Sequence, residues 1–140
     1  MDREELKPYA SMTRSFTRTR LGSLPRKPQE FTPERVAFIR EMVNDEMEEL
    51  GEAETLEDQV DALADAVYYI MDFANAEGVN LDPIMSIVHE ANLTKVKGKI
   101  AYGKLGKVEK PEDFVDPEEL IKQELARQGY DRDSEQGEPL

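Results

Sequence analysis

The sequence contains no cysteine, no tryptophan and one histidine, His89. Without thiols it forms no disulfide, no thiolate zinc site, no iron–sulfur cluster and no cysteine nucleophile. One histidine excludes any site that needs two imidazoles from one chain. Long apolar runs are also missing. The longest, Ala66-Val67-Tyr68-Tyr69-Ile70-Met71, is far short of the ~20 residues that span a bilayer. Asp2, Glu4 and Glu5 stand where a secretory signal would carry its basic and apolar regions. A soluble, cytoplasmic chain without a membrane partner is expected, and any metal it binds must be held mainly by oxygen ligands.

Positive charge is scarce too. Against 31 Asp+Glu there are 18 Lys+Arg, a net charge of -13 over 140 residues. That balance predicts no binding of polymeric nucleic acid, and the length predicts one compact domain. The charge is unevenly spread. Residues 1–28 hold 7 basic and 3 acidic residues, 29–94 hold 2 and 17, 95–110 hold 6 and 1, and 111–140 hold 3 and 10. An acidic body is thus bracketed by two basic segments. Most such runs are solvated surface. The sharper reading is a metal-binding core with cations nearby for phosphates.

What is plentiful is helical periodicity. Residues 1–30, with Pro8, Gly22, Pro25 and Pro28, read as an irregular or only briefly helical basic segment. Thr32-Pro33-Glu34 predicts a helix start, followed by Val36, Ile39, Val43, Met47 and Leu50 at three- and four-residue intervals to a stop near Gly51. A second helix starts at Thr55 with Asp58 as capping partner. Its apolar face is Leu56, Val60, Leu63, Val67, Ile70, Met71 and Ala74, and Gly78 ends it. Leu81-Asp82-Pro83 opens a third by the same cap-plus-proline pattern, with Ile84, Ile87, Val88 and Ala91 inward. Asp116-Pro117-Glu118-Glu119 opens a short fourth over Leu120, Ile121 and Leu125. The expectation is an all-α bundle of about four helices over residues 31–127. It has a lysine-rich loop at 97–111, a polar disordered tail at 128–140, and a core completed by homo-oligomerisation.

Several carboxylates interrupt this pattern. Glu46 lies inside the apolar stripe of the first predicted helix, three residues after Val43 and four before Leu50, and Glu49 follows on the flank. An ionised carboxylate in a buried stripe is costly unless paired or metal-bound, and i, i+3 spacing lets two share a cation. On the next helix Asp58, Asp61, Asp65 and Asp72 form an acidic seam amid Ala62, Ala64, Ala66, Tyr69 and Phe73. Oxygen ligands on two helices suit Mg²⁺, with Mn²⁺ as the alternative. On the third helix His89 reads as a hydrogen-bonded packing residue. Lys95 reads either as a phosphate contact or as a complement to the helix dipole. Metal-assisted chemistry at a phosphate ester or anhydride fits this combination.

These residues also resemble a known family. Asn44-Asp45-Glu46-Met47-Glu48-Glu49-Leu50 is similar to the E-x-x-E helix of the all-α nucleoside triphosphate pyrophosphohydrolases. That group includes MazG, dimeric dUTPase and phosphoribosyl-ATP pyrophosphohydrolase. Asp61-Ala-Leu-Ala-Asp65-Ala-Val-Tyr-Tyr69 resembles the second half of the signature, usually E-x-x-D. Gly78-Val-Asn-Leu-Asp82-Pro, Val88-His89-Glu-Ala-Asn92-Leu-Thr-Lys95 and the stretch to Pro111-Glu-Asp-Phe114 are similar to a MazG-like subgroup labelled "Cof-like". The resemblance covers about residues 16–121 and implies a MazG-like helical enzyme that takes (d)NTP to (d)NMP and pyrophosphate. It implies Glu46, Glu49 and Asp65 as metal ligands, and Asn92 and Lys95 as nucleotide contacts. It also implies a homodimer or homotetramer. Ala62 stands where the family usually has Glu, and Asp61 is the proposed substitute.

Lys99 and Lys104 join Lys95 as candidate phosphate ligands. Asp45 and Glu46 are the candidate general bases. Tyr69 or Tyr102 could stack on the base, with core packing the first role for Tyr69. The aspartyl-phosphate chemistry that "Cof-like" suggests is excluded, because the only D-x-D, Asp131-Arg132-Asp133, lies in the tail. A Glu-x-x-His redox-metal motif is missing, since Ser86 precedes His89 by three. The remaining rival is a catalytically degenerate MazG-like module that binds nucleotide or protein.

Overall fold

In the computed structural model the described residues are 9–97 and 116–132, without the side chains of 95–97. The chain is all-α. Its described helices are α1 (Tyr9–Leu21), α2 (Pro33–Glu52), α3 (Leu56–Ala76), α4 (Leu81–Lys97) and α5 (Glu118–Arg127). None is long and apolar enough to cross a membrane.

Local chemistry sets most of the boundaries. The Thr32 hydroxyl accepts from the Arg35 amide at 3.2 Å ahead of Pro33, and Thr55 accepts from the Asp58 amide at 3.2 Å. The helix α3 closes at Gly78, whose φ is +80°. Its amide donates to Asn75 O at 3.0 Å, and that of Val79 donates to Ala74 O at 2.9 Å. A Cβ at Gly78 would come within 2.3 Å of the Lys27 carbonyl oxygen, so only glycine fits.

Three expectations are corrected. Residues 9–21, read as irregular or only briefly helical, form the 13-residue α1, so the described helices number five rather than about four. The buried positions of α1 are Ala10, Thr13 and Thr17, which carry little hydrophobic signal. The Thr13 and Thr17 hydroxyls bond back to carbonyls of the preceding turn, which lets threonine be buried in a helix. Secondly, Asp82 does not cap its own helix. The Asn80 Oδ1 accepts from the Asp82 amide at 3.0 Å, and the Asp82 carboxylate serves α1 instead. As expected, α2 closes near Gly51, at Glu52, with the Ala53 amide returning to Leu50 O. Lastly, the segment read as tail from 128 is docked as far as Tyr130. The Gln128 amide exchanges hydrogen bonds with the Asn80 backbone at 2.8 and 2.9 Å, and the Tyr130 hydroxyl donates to Glu30 at 2.7 Å. Residues 133–140 and most of the lysine-rich loop lie outside the described residues.

The core gathers on the carboxyl-terminal half of α3: Met71, Phe73, Ala74, Ala76 and, just beyond, Val79 are buried with Ala10 and Ile84. Against it lie α1 and the start of α4, while α2 and α3 form an αα-hairpin. The amino-terminal half of α3 turns Ala62 and Ala66 to the protein and leaves its large side chains outside. The stripe read as the buried face of this helix is therefore corrected. Leu56 (68% exposed), Val60 (52%), Leu63 (49%), Val67 (52%) and Ile70 (41%) are uncovered, and only Met71 and Ala74 of that set are buried.

Candidate carboxylate site on the α2–α3 hairpin

The hairpin is pinned at one end and acidic further along. At the pinned end the Arg35 guanidinium donates to the buried Glu77 carboxylate at 3.0 Å. It also lies over the rings of Phe38 and Phe73, at 5.1 and 5.3 Å from their centroids. Glu46 lies eleven residues along α2, roughly 16 Å away at 1.5 Å per residue.

Glu46 is the only buried residue of α2, at 6% exposure. Two alanines of α3, Ala62 and Ala66, are buried along the same hairpin, where larger side chains would hold the helices apart. The Glu46 Oε1 atom is buried and has no hydrogen-bond partner among the described residues. Burial raises the Glu46 pKa above the usual carboxylate range, and the negative charges of Glu49, Asp65, Asp61 and Asp45 raise it further. The same group acts on Tyr69, one turn beyond Asp65. Burial first, then Glu46, Asp65, Glu49 and Asp45, push the phenol upward.

The structure thus places Glu49, Asp65, Asp61 and Asp45 within electrostatic reach of Glu46. Their settings differ. Glu46 is buried, Asp65 is half-buried, and Asp45, Glu49 and Asp61 are exposed. Among the described residues no three acidic or imidazole side chains converge closely enough to hold a metal ion. The chemistry of the donor set nevertheless fits a hard divalent cation. It is oxygen-only, self-repelling, and centred on a buried carboxylate oxygen that lacks a partner. A cation would relieve both the repulsion and the orphaned acceptor.

The other candidates separate from this group. Asp72, the last member of the acidic seam, accepts from the Thr17 hydroxyl and pairs with Arg20 at 2.8 Å. It fastens α1 to α3, and Asp58 is exposed at the first turn. His89 is exposed and makes no hydrogen bond among the described residues, which corrects its reading as a bonded packing residue. Asn92 is exposed on α4. The Lys95 side chain, Lys99, Tyr102 and Lys104 lie outside the description. Tyr69, read first as core, is half-buried beside the carboxylates. The signal for that was its i, i+4 spacing from Asp65.

The sequence profile of the phosphoribosyl-ATP pyrophosphohydrolase family matches residues 13–92, an interval that contains both carboxylate-bearing helices. A comparison with curated proteins finds no match.

Proposed function

Since the chain belongs to the phosphoribosyl-ATP pyrophosphohydrolase family, within the MazG-like all-α pyrophosphohydrolases, we propose that it is a Mg²⁺-dependent enzyme cleaving (d)NTP to (d)NMP and pyrophosphate. Housekeeping of the cytoplasmic nucleotide pool is the role such a reaction serves. The observation that carries the reading is Glu46, a buried carboxylate with an unpartnered oxygen within electrostatic reach of four further acids.

In this reading Glu46, Glu49, Asp61 and Asp65 hold the cation. Bound there, Mg²⁺ or Mn²⁺ neutralises phosphate charge and lowers the pKa of an attacking water. Glu46 is also the first candidate to accept the proton of that water. Exposed Asp45 is the alternative. Tyr69, half-buried, lies within electrostatic reach of these carboxylates. Asn92, Lys95, Lys99 and Lys104 are the proposed phosphate and nucleotide contacts.

The uncovered stripe of α3 supports a homodimer or homotetramer. Five large apolar side chains are left exposed in register along one helix, and contiguous exposed apolar patches mark interaction sites. A second copy would cover that stripe and help close the site.

A test follows from the ligand assignment. Glu49→Gln and Asp65→Asn, which keep shape and remove charge, should each lower Mg²⁺-dependent turnover by roughly a hundredfold with helicity unchanged. Full activity in both variants refutes the assignment. A second reading, nucleotide binding without turnover, is favoured by Ala62. It is buried at 3% exposure on the hairpin, while Asp61 one position away is exposed. Mg²⁺-dependent nucleotide binding with no product would identify that case.

A further inference from the structure

At the other end of α3, the Arg14 and Arg18 side chains of α1 and Arg26 of the following loop border a cavity of ≈ 590 Å³. The volume lies within the range of small-molecule sites. No aspartate or glutamate lines it. Among the described residues none of the three arginines has an ion pair or side-chain hydrogen bond, whereas Arg20 and Arg35 are both paired. Three unneutralised guanidiniums at one opening are unexpected in a chain of net charge -13. The carboxyl end of α1 supplies about half a negative charge, much less than the three cations.

A second observation points the same way. Asn75, 3% exposed, also lines the cavity. Its Nδ2 donates to the Ala10 carbonyl at 3.1 Å and to the Thr13 hydroxyl at 3.0 Å. A carbonyl can only accept, so the amide orientation is fixed. Its Oδ1 is then a buried acceptor with no partner among the described residues. The neighbouring Gln128 amide is spent on the Asn80 backbone and Glu124. Among the described residues, the polar side-chain groups lining this cavity without a partner include the three guanidiniums, the Ser23 hydroxyl, the Asn80 Nδ2 and the Asn75 Oδ1. Guanidinium forks match phosphate oxygens bidentately, and a buried amide oxygen matches a hydroxyl donor.

We propose that this cavity is a binding site for a phosphorylated small molecule, with Arg14, Arg18 and Arg26 on the phosphoryl group and Asn75 Oδ1 accepting from a hydroxyl. It is distinct from the carboxylate site. Asn75 lies ten residues beyond Asp65 on α3, about 15 Å along the axis. Neither Mg²⁺ nor the acidic cluster takes part.

The site can be tested apart from turnover by calorimetry on the full chain in EDTA, where the acidic site repels anions. The probes are ribose 5-phosphate, inorganic pyrophosphate and unphosphorylated ribose. One equivalent of ribose 5-phosphate or pyrophosphate should bind per chain, and ribose should not. Tighter ribose 5-phosphate identifies a sugar phosphate as the ligand class, and tighter pyrophosphate identifies the reaction product. The Arg14→Ala/Arg18→Ala double variant should weaken binding roughly tenfold or more. Arg26→Ala, in a loop and outside any helix, should weaken it as well. Glu49→Gln should bind like the parent. No binding of either phosphate at millimolar concentration, equal binding by Arg26→Ala, or loss of binding in Glu49→Gln would overturn the proposal.

Discussion

Asp82, in the first turn of α4, accepts from both the amide and the hydroxyl of Ser11, at 3.2 and 3.0 Å, and so caps α1 from 71 residues away. It also takes the Ala10 amide at 3.0 Å, and Ala10 is fully buried. Two first-turn donors of α1 thus depend on one carboxylate, which also complements the positive end of the helix dipole. Asp82→Ala leaves both without that acceptor. It should lower unfolding stability by about 1–2 kcal/mol, and Asp82→Asn by less. Urea denaturation measures this. An unchanged midpoint in Asp82→Ala would show that α1 does not need the cap.

The burial of Glu46 has a consequence for pH. Its folded pKa lies above its unfolded value, raised by burial and then by Glu49, Asp65, Asp61 and Asp45. The native state therefore binds the extra proton, and the stabilisation is fully present below the unfolded value of about 4.3. Metal-free stability then falls as pH rises from there through the folded value. Glu46→Gln removes that penalty. In EDTA near neutral pH the variant should melt above the parent, with the gap closing at about pH 4. Added Mg²⁺ should raise the parent's melting temperature and leave the variant nearly unmoved. Thermal melts at the two pH values, with and without Mg²⁺, decide it. A variant that melts lower than the parent in EDTA contradicts the assignment of Glu46 as an uncompensated charge.

The open stripe of α3 makes a prediction about assembly. Val67→Glu puts a charge within it without touching the buried face of Ala62 and Ala66. Light scattering coupled to gel filtration should give a multiple of 16.0 kDa for the parent and 16.0 kDa for the variant. A parent that runs as a monomer shows that the stripe is not a self-association surface.

Much of this arrangement is legible in the sequence because it is local. Thr32-Pro33 and Thr55 mark helix starts within four residues of the amides they cap. Glu46 stands out because it breaks an apolar period, and it is the one residue of α2 that the structure buries. What stays hidden is set by distant partners. The helix α1 buries threonines and borrows its cap from Asp82, so neither apolar period nor local cap announces it. Asp72 shares the spacing of the acidic seam, but Arg20 and Thr17 claim it. Periodicity on α3 marks an apolar stripe without telling which partner covers it. Its small residues Ala62 and Ala66 let α2 approach, and the large ones are left outside.

The central claim is cleavage between the α- and β-phosphates, and the identity of the products tests it most directly. The protein is incubated with Mg²⁺ and a panel of canonical and damaged nucleoside triphosphates, together with phosphoribosyl-ATP, and the phosphate products are separated. Monophosphate and pyrophosphate in equal amounts, lost in Asp65→Asn, is the predicted result. Diphosphate and orthophosphate would contradict it.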